Sequence, residues 1–128
     1  MAKKILLVDD ETDFLDIMGE RIRSWGYEVI LVSNGKEAIE AIRRKEPEIV
    51  ILDYLMPEMD GIDTLKQIRR IDKDIPVIMF TAYPEMKAID GTEKLGVSAF
   101  VPKLSVYTDV QISLKSAINM VEKKLIKS

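Results

Sequence analysis

Apolar residues along this chain follow two alternating rhythms. Four uninterrupted runs, Ile5-Leu6-Leu7-Val8, Val29-Ile30-Leu31-Val32, Ile49-Val50-Ile51-Leu52 and Val77-Ile78-Met79-Phe80, are short, rich in β-branched residues and bounded by polar or turn residues. Runs of that kind predict strands buried on both faces. With a shorter one near Phe100 they place strands over residues 4–9, 27–32, 48–53, 76–81 and 98–102. Between them the apolar positions recur three or four apart, the period of a helix with one buried face. Thr12 or Asp13 is positioned to cap the first helix, whose face would carry Phe14, Ile17, Met18, Ile22 and Trp25, and Gly26 to stop it. Ser33-Asn34-Gly35 turns into a short helix with Ala38, Ile39 and Ile42 inward, ending before Pro47. Gly61 and Asp63 open a third helix with Ile62, Leu65 and Ile68 inward. A weaker helix is expected over 85–95, and Val110, Leu114, Ala117, Ile118, Val121 and Leu125 give the last one a long apolar stripe.

Five strands alternating with five helices imply an α/β fold. Parallel neighbours need long crossovers, and continuous apolar runs need cover on both faces, so the expected architecture is a doubly wound five-stranded parallel sheet with helices on either side. The 128 residues and 47% apolar content suit one domain spanning 1–128, without repeats or linkers.

Composition then removes several kinds of chemistry. The chain has 19 basic and 22 acidic residues and a formal charge of −3, so it lacks the basic excess that carries direct nucleic-acid binding. No apolar stretch is long enough to span a bilayer or form a secretory signal core, and no membrane association is expected. With no cysteine there is neither a disulfide nor a thiolate metal site, which suits a reducing cytoplasm. With no histidine there is no imidazole base, ligand or phosphocarrier. No phosphate-cradling G-x-x-x-x-G-K-[ST] loop is present, so a phosphoryl donor would be external.

Ligands of such sheets bind outside the carboxyl ends of the strands. Standing there are Asp9 and Asp10 after the first strand, Asp53 at the end of the third, Thr81 after the fourth and Lys103 after the fifth. Two carboxylates about 4 Å apart repel by roughly 4 kcal/mol at an effective dielectric near 20, so three acids on one rim call for a cation among them or for bound protons. Magnesium favours carboxylate, carbonyl and water oxygens, and Asp10 and Asp53 are candidate ligands. A carboxylate beside such a cation can attack a phosphoryl group, with Lys103 and the Thr81 hydroxyl holding the phosphoryl oxygens.

The order and spacing of Asp9-Asp10, Asp53 followed by Met56-Pro57-Glu58-Met59-Asp60-Gly61, Thr81-Ala82, Phe100 and Lys103 resemble the receiver domain of bacterial two-component response regulators, in its single-domain, chemotaxis-regulator-like form. The resemblance runs from about Lys4 to the last helix. It implies a flavodoxin-like fold of strand order 2-1-3-4-5, and a signalling switch rather than a turnover enzyme. In that family's terms Asp53 would be the phosphoacceptor. Magnesium, with manganese able to substitute, would be held by Asp10, Asp53 and the Leu55 backbone carbonyl, with Asp9 acting through water. Thr81 and Lys103 would bind the phosphoryl oxygens, and Thr81 with Phe100 would form the switch. The donor would be a histidine kinase or phosphotransfer protein in the cytoplasm. The output would be an unidentified protein bound at the face formed by the helix near 85–95, the fifth strand and the last helix, and the chain would be a monomer or a phosphorylation-dependent dimer.

Three departures from the family pattern carry expectations of their own. Proline precedes Lys103 here (Pro102-Lys103-Leu104) instead of following it, which removes the usual prolyl bond after the lysine and predicts a differently shaped loop. Phe100 stands where tyrosine is commoner, so a switch there works by packing alone. Leu55 and Tyr83, apolar and bulky beside the acceptor and the threonine, predict slow autodephosphorylation. Rival readings are a receiver excised from a longer regulator, a magnesium-dependent phosphatase with an aspartyl-phosphate intermediate, and a flavodoxin-like cofactor binder. The phosphatase would need a base close after Asp53, where the chain has Tyr54-Leu55; the cofactor binder would need a phosphate loop where it has Asp9-Asp10-Glu11. Taken singly, each Asp is as readily a helix cap, Thr81 a strand residue, Lys103 a solvated charge and Phe100 a core aromatic; only their registration joins them.

Overall fold

The apolar runs pair as parallel strands: β1 (Lys4–Val8), β2 (Glu28–Val32), β3 (Ile49–Asp53), β4 (Val77–Thr81) and β5 (Ala99–Pro102) form one sheet in the order β2-β1-β3-β4-β5. Among the described residues the helices are α1 (Thr12–Ser24), α2 (Gly35–Lys45), α3 (Gly61–Ile71) and, after the last strand, α4 (Tyr107–Lys127). This computed structural model describes residues 3–54, 61–81, 95–102 and 107–127, with side chains at 80, 81, 100, 102, 107–111 and 124–127 outside the described set. The helix expected over 85–95 therefore falls mostly outside the described residues, as do Leu55, Tyr83 and Lys103.

The strands are apolar throughout because each face of the sheet meets a different helical layer. On one face Ile5, Leu7, Ile49, Ile51, Ile78 and Val101 pack with Leu15, Met18 and Ile22 of α1 and with Leu114, Ile118 and Val121 of α4. On the other face Leu6, Val8, Val50, Leu52, Val77 and Met79 meet Ala38 and Ile42 of α2 and Leu65 and Ile68 of α3. The period-two alternation within each run thus divides one hydrophobic sequence between two cores. Central β3 is buried at all five positions, whereas β2 at the edge is only partly buried.

Helix boundaries follow local chemistry, with some shifts from expectation. Helix α1 begins at Thr12 with Glu11 at its cap and no side-chain cap bond, and the Asp9 carboxylate accepts the Glu11 N–H at 2.9 Å. Its inward face uses Leu15, Met18, Gly19 and Ile22, while Ile17 points outward at 46% exposure. Gly26, at φ +97°, ends it in a conformation glycine adopts without steric cost. Asn34 caps α2 by accepting the Glu37 N–H at 2.8 Å, and the Glu37 carboxylate accepts the Ser33 N–H at 3.3 Å. Glu46, at φ +48° and ψ +59°, ends α2 in the left-handed region before Pro47.

Long-range polar fastenings hold the layers together. The Arg69 guanidinium at the end of α3 donates to the carbonyls of Leu95 at 2.7 Å, Gly96 at 3.1 Å, Ile75 at 2.7 Å and Asp72 at 3.4 Å, joining α3 to the segments that enter β4 and β5. Burial lowers its pKa, opposed by Asp72 and Asp74. The Asp72 carboxylate takes the N–H groups of Asp74 and Ile75 at 2.9 and 3.0 Å and closes the turn before β4. On α4, Lys115 lies 5.7 Å from the Trp25 ring centroid and Glu122 accepts the Tyr27 hydroxyl. Among the described residues no helix is long and apolar enough to cross a membrane.

Candidate functional site: an acid cluster at the strand carboxyl ends

The sheet register builds the site. Val8 pairs with Leu52 across β1 and β3, so the next residues on each strand, Asp9 and Asp53, emerge side by side. Asp53 pairs in turn with Phe80, which puts Thr81 one residue further along the neighbouring strand, and Thr81 pairs with Pro102 at the end of β5. Every position expected on the rim that falls within the described residues is therefore on it. Lys103 and Leu55 lie outside those residues, as do the side chains of Thr81 and Phe100.

One ligand oxygen from each of Asp9, Asp10 and Asp53 lies within 4.8 Å of the other two. Asp9 is fully buried and Asp53 is 3% exposed, while Asp10 faces solvent. Two buried carboxylates at that separation repel by about 3.5 kcal/mol at an effective dielectric of 20. The Glu11 N–H on Asp9 offsets part of this, and the exposed Asp10 is screened by water. Burial of two acids beside a third, with one oxygen from each converging, is the donor set of a hard divalent cation that keeps several waters. The residues present fit such an ion.

Two features of this region escaped the reading of the chain. Asp9 serves α1 as well as the cluster, since its carboxylate organises the helix start. Gly61 donates its N–H to the Tyr54 carbonyl at 2.7 Å, fastening α3 directly to the strand end that carries Asp53. The first was signalled only by an acid two residues before a helix cap; the second had no signal beyond a glycine at a helix start.

This chain belongs to the response regulator receiver domain family, whose model matches residues 5–115. It is 38% identical over 96 residues to the sporulation initiation phosphotransferase F of Bacillus subtilis (strain 168), covering 75% of this chain and 77% of that protein. It is 37% identical over 114 residues to the transcriptional regulatory protein ZraR of Klebsiella oxytoca, covering 89% of this chain but only 26% of that relative's length. In structure it resembles a CheY-like response regulator receiver domain protein from Methanospirillum hungatei JF-1, with a TM-score of 0.84, 25% identity, and coverage of 97% of this chain and 99% of the other. The fold is thus the flavodoxin-like one of that family, and the chain is a receiver domain of two-component, phosphorylation-dependent signalling. Receiver domains are phosphorylated by kinases or phosphotransfer proteins, and the acid cluster is of the kind that holds their metal ion.

Proposed function

We propose that Asp53 is the phosphoacceptor of a protein-binding switch. The observation that carries this reading is the convergence of Asp9, Asp10 and Asp53 within 4.8 Å at the carboxyl ends of β1 and β3, with Thr81 ending the adjacent β4. A carboxylate oxygen of Asp53 would attack the phosphorus of a phosphohistidine on a kinase or phosphotransfer protein. The P–N bond then breaks, and its electron pair returns to the donor imidazole. Magnesium, or manganese in its place, would be held by Asp10, Asp53 and the Leu55 carbonyl, with Asp9 acting through water. When bound, it supplies charge neutralisation for the incoming phosphoryl oxygens. Thr81 and Lys103 would take those oxygens, and Thr81 and Phe100 would carry the change to the face formed by the helix expected over 85–95, β5 and α4, where a partner would dock.

In this reading residues 1–128 are one receiver domain that acts in the cytoplasm, binds no nucleic acid directly, and catalyses only its own phosphorylation and a slow dephosphorylation. ZraR, of which the chain spans about a quarter, is named for transcriptional regulation, and that activity is not carried over. The test is incubation with acetyl phosphate or phosphoramidate and magnesium, followed by intact mass. Wild type is expected to gain one phosphoryl group that persists for minutes or longer, and Asp53→Ala none. An unmodified wild type overturns the assignment, and a half-life of seconds overturns the slow hydrolysis argued from Leu55 and Tyr83.

A further inference from the structure

Gly61 is the first residue of α3 and is buried. A Cβ built on it would lie 2.6 Å from the Asp53 carbonyl oxygen, 2.6 Å from the Tyr54 Cα and 3.0 Å from the Tyr54 carbonyl oxygen. All three are backbone atoms, which have no rotamer into which to retreat. As the first residue of a helix, Gly61 stands where any residue can follow the backbone. What is required there is room. Gly19 is the useful contrast, because its nearest neighbours, 3.0 and 3.3 Å away, are the flexible methyl ends of Leu31 in the core.

We propose that Gly61 is a positioning residue for phosphoryl transfer: the missing side chain lets α3 press against the Asp53–Tyr54 backbone and sets where the acceptor carboxylate stands. The inference rests on the reading of Asp53 as phosphoacceptor. The Gly61 N–H to Tyr54 bond of 2.7 Å pulls the same two segments together, so the contact is held as well as permitted. Relieving a 2.6 Å approach to ordinary contact distance moves the strand end or the helix by roughly 0.5–1 Å. Displacement falls on the Asp53 peptide and on Tyr54, and so on the backbone that carries the acceptor carboxylate. Misplacements of about 1 Å in a reacting constellation cost on the order of a hundredfold in rate.

The experiment compares wild type, Gly61→Ala, Gly19→Ala and Asp53→Asn by thermal melting, by titration of free Mn²⁺ in electron paramagnetic resonance, and by the plateau rate of phosphorylation at saturating phosphoramidate. Gly61→Ala is expected to lose ten- to a hundredfold in plateau rate and several-fold in Mn²⁺ affinity while still folded at the assay temperature. Gly19→Ala is expected to leave both quantities unchanged, whichever way its melting temperature moves, because Leu31 can yield and alanine favours the helix. A folded Gly61→Ala with wild-type rate and Mn²⁺ affinity overturns the proposal, as does a Gly19→Ala that loses rate in step with its stability. If wild type and Asp53→Asn are equally unreactive, the phosphoacceptor reading is what fails, and the Mn²⁺ titration still judges Gly61. Should Gly61→Ala not fold, wild type decides by amide NMR: the Gly61 N–H should exchange slowly and shift with Tyr54 when Mg²⁺ and beryllofluoride are added. A fast-exchanging or unmoved Gly61 amide overturns the proposal.

Discussion

Replacing Asp53 by asparagine should make the metal-free protein more stable while removing most of its response to magnesium. The substitution keeps the shape of a side chain that is 3% exposed and deletes one of three charges converging within 4.8 Å. Its repulsion with buried Asp9 is about 3.5 kcal/mol at an effective dielectric of 20. An amide accepts weaker hydrogen bonds than a carboxylate, which offsets part of that gain. A net stabilisation of about 1–2 kcal/mol is expected at neutral pH in EDTA, and for a chain of this size that raises Tm by roughly 3–10 °C. Magnesium should reverse the order. A cation at a hundred times its dissociation constant adds about 2.7 kcal/mol to the wild type, and far less to a variant that has lost a ligand charge. Far-UV circular dichroism melts of both proteins, with EDTA and with a magnesium series, measure each term. Asp10→Asn is the control, with a smaller metal-free gain because Asp10 faces solvent. If Asp53→Asn melts at or below wild type in EDTA, or if magnesium raises both equally, then the three carboxylates are not a strained cation site.

Two other outcomes follow from the polar fastenings. Arg69→Ala leaves the carbonyls of Leu95, Gly96 and Ile75 without their guanidinium donor, and should cost about 1–3 kcal/mol in urea unfolding; Arg69→Lys should recover little, since one ammonium cannot span them. Tyr27, whose pKa is pushed up to about 12 by burial and then by its bond to Glu122, favours folding in its neutral form. That contribution is complete below the ordinary phenol value near 10 and is lost as pH rises through about 12, so the wild type should lose stability over this window more steeply than Tyr27→Phe in pH-dependent melts.

Much of this protein was legible in its chain because the physics involved is local. Runs such as Ile49-Val50-Ile51-Leu52 are apolar at every position only if both faces of a strand are covered, which implies the parallel sheet and puts Asp53 at its carboxyl rim. Asn34, Gly26 and the Leu114-Ala117-Ile118-Val121 stripe marked helix ends and faces through backbone chemistry and period alone. Tertiary structure decided what depends on partners far away in sequence. Helix α1 turned Ile17 to solvent and used Gly19 against Leu31, because the packing surface, not the helical period, chooses which side of a broad apolar face is buried. Arg69 found its acceptors only when the fold brought the carbonyls of the segments before β4 and β5 to the end of α3. Tyr27 met Glu122 across 95 residues, and Gly61 met the Asp53 backbone at a distance no sequence spacing encodes. A rim acid can be inferred from where a strand ends; how close a second carboxylate or a neighbouring backbone comes to it is set only when the sheet register and the helix packing are fixed together.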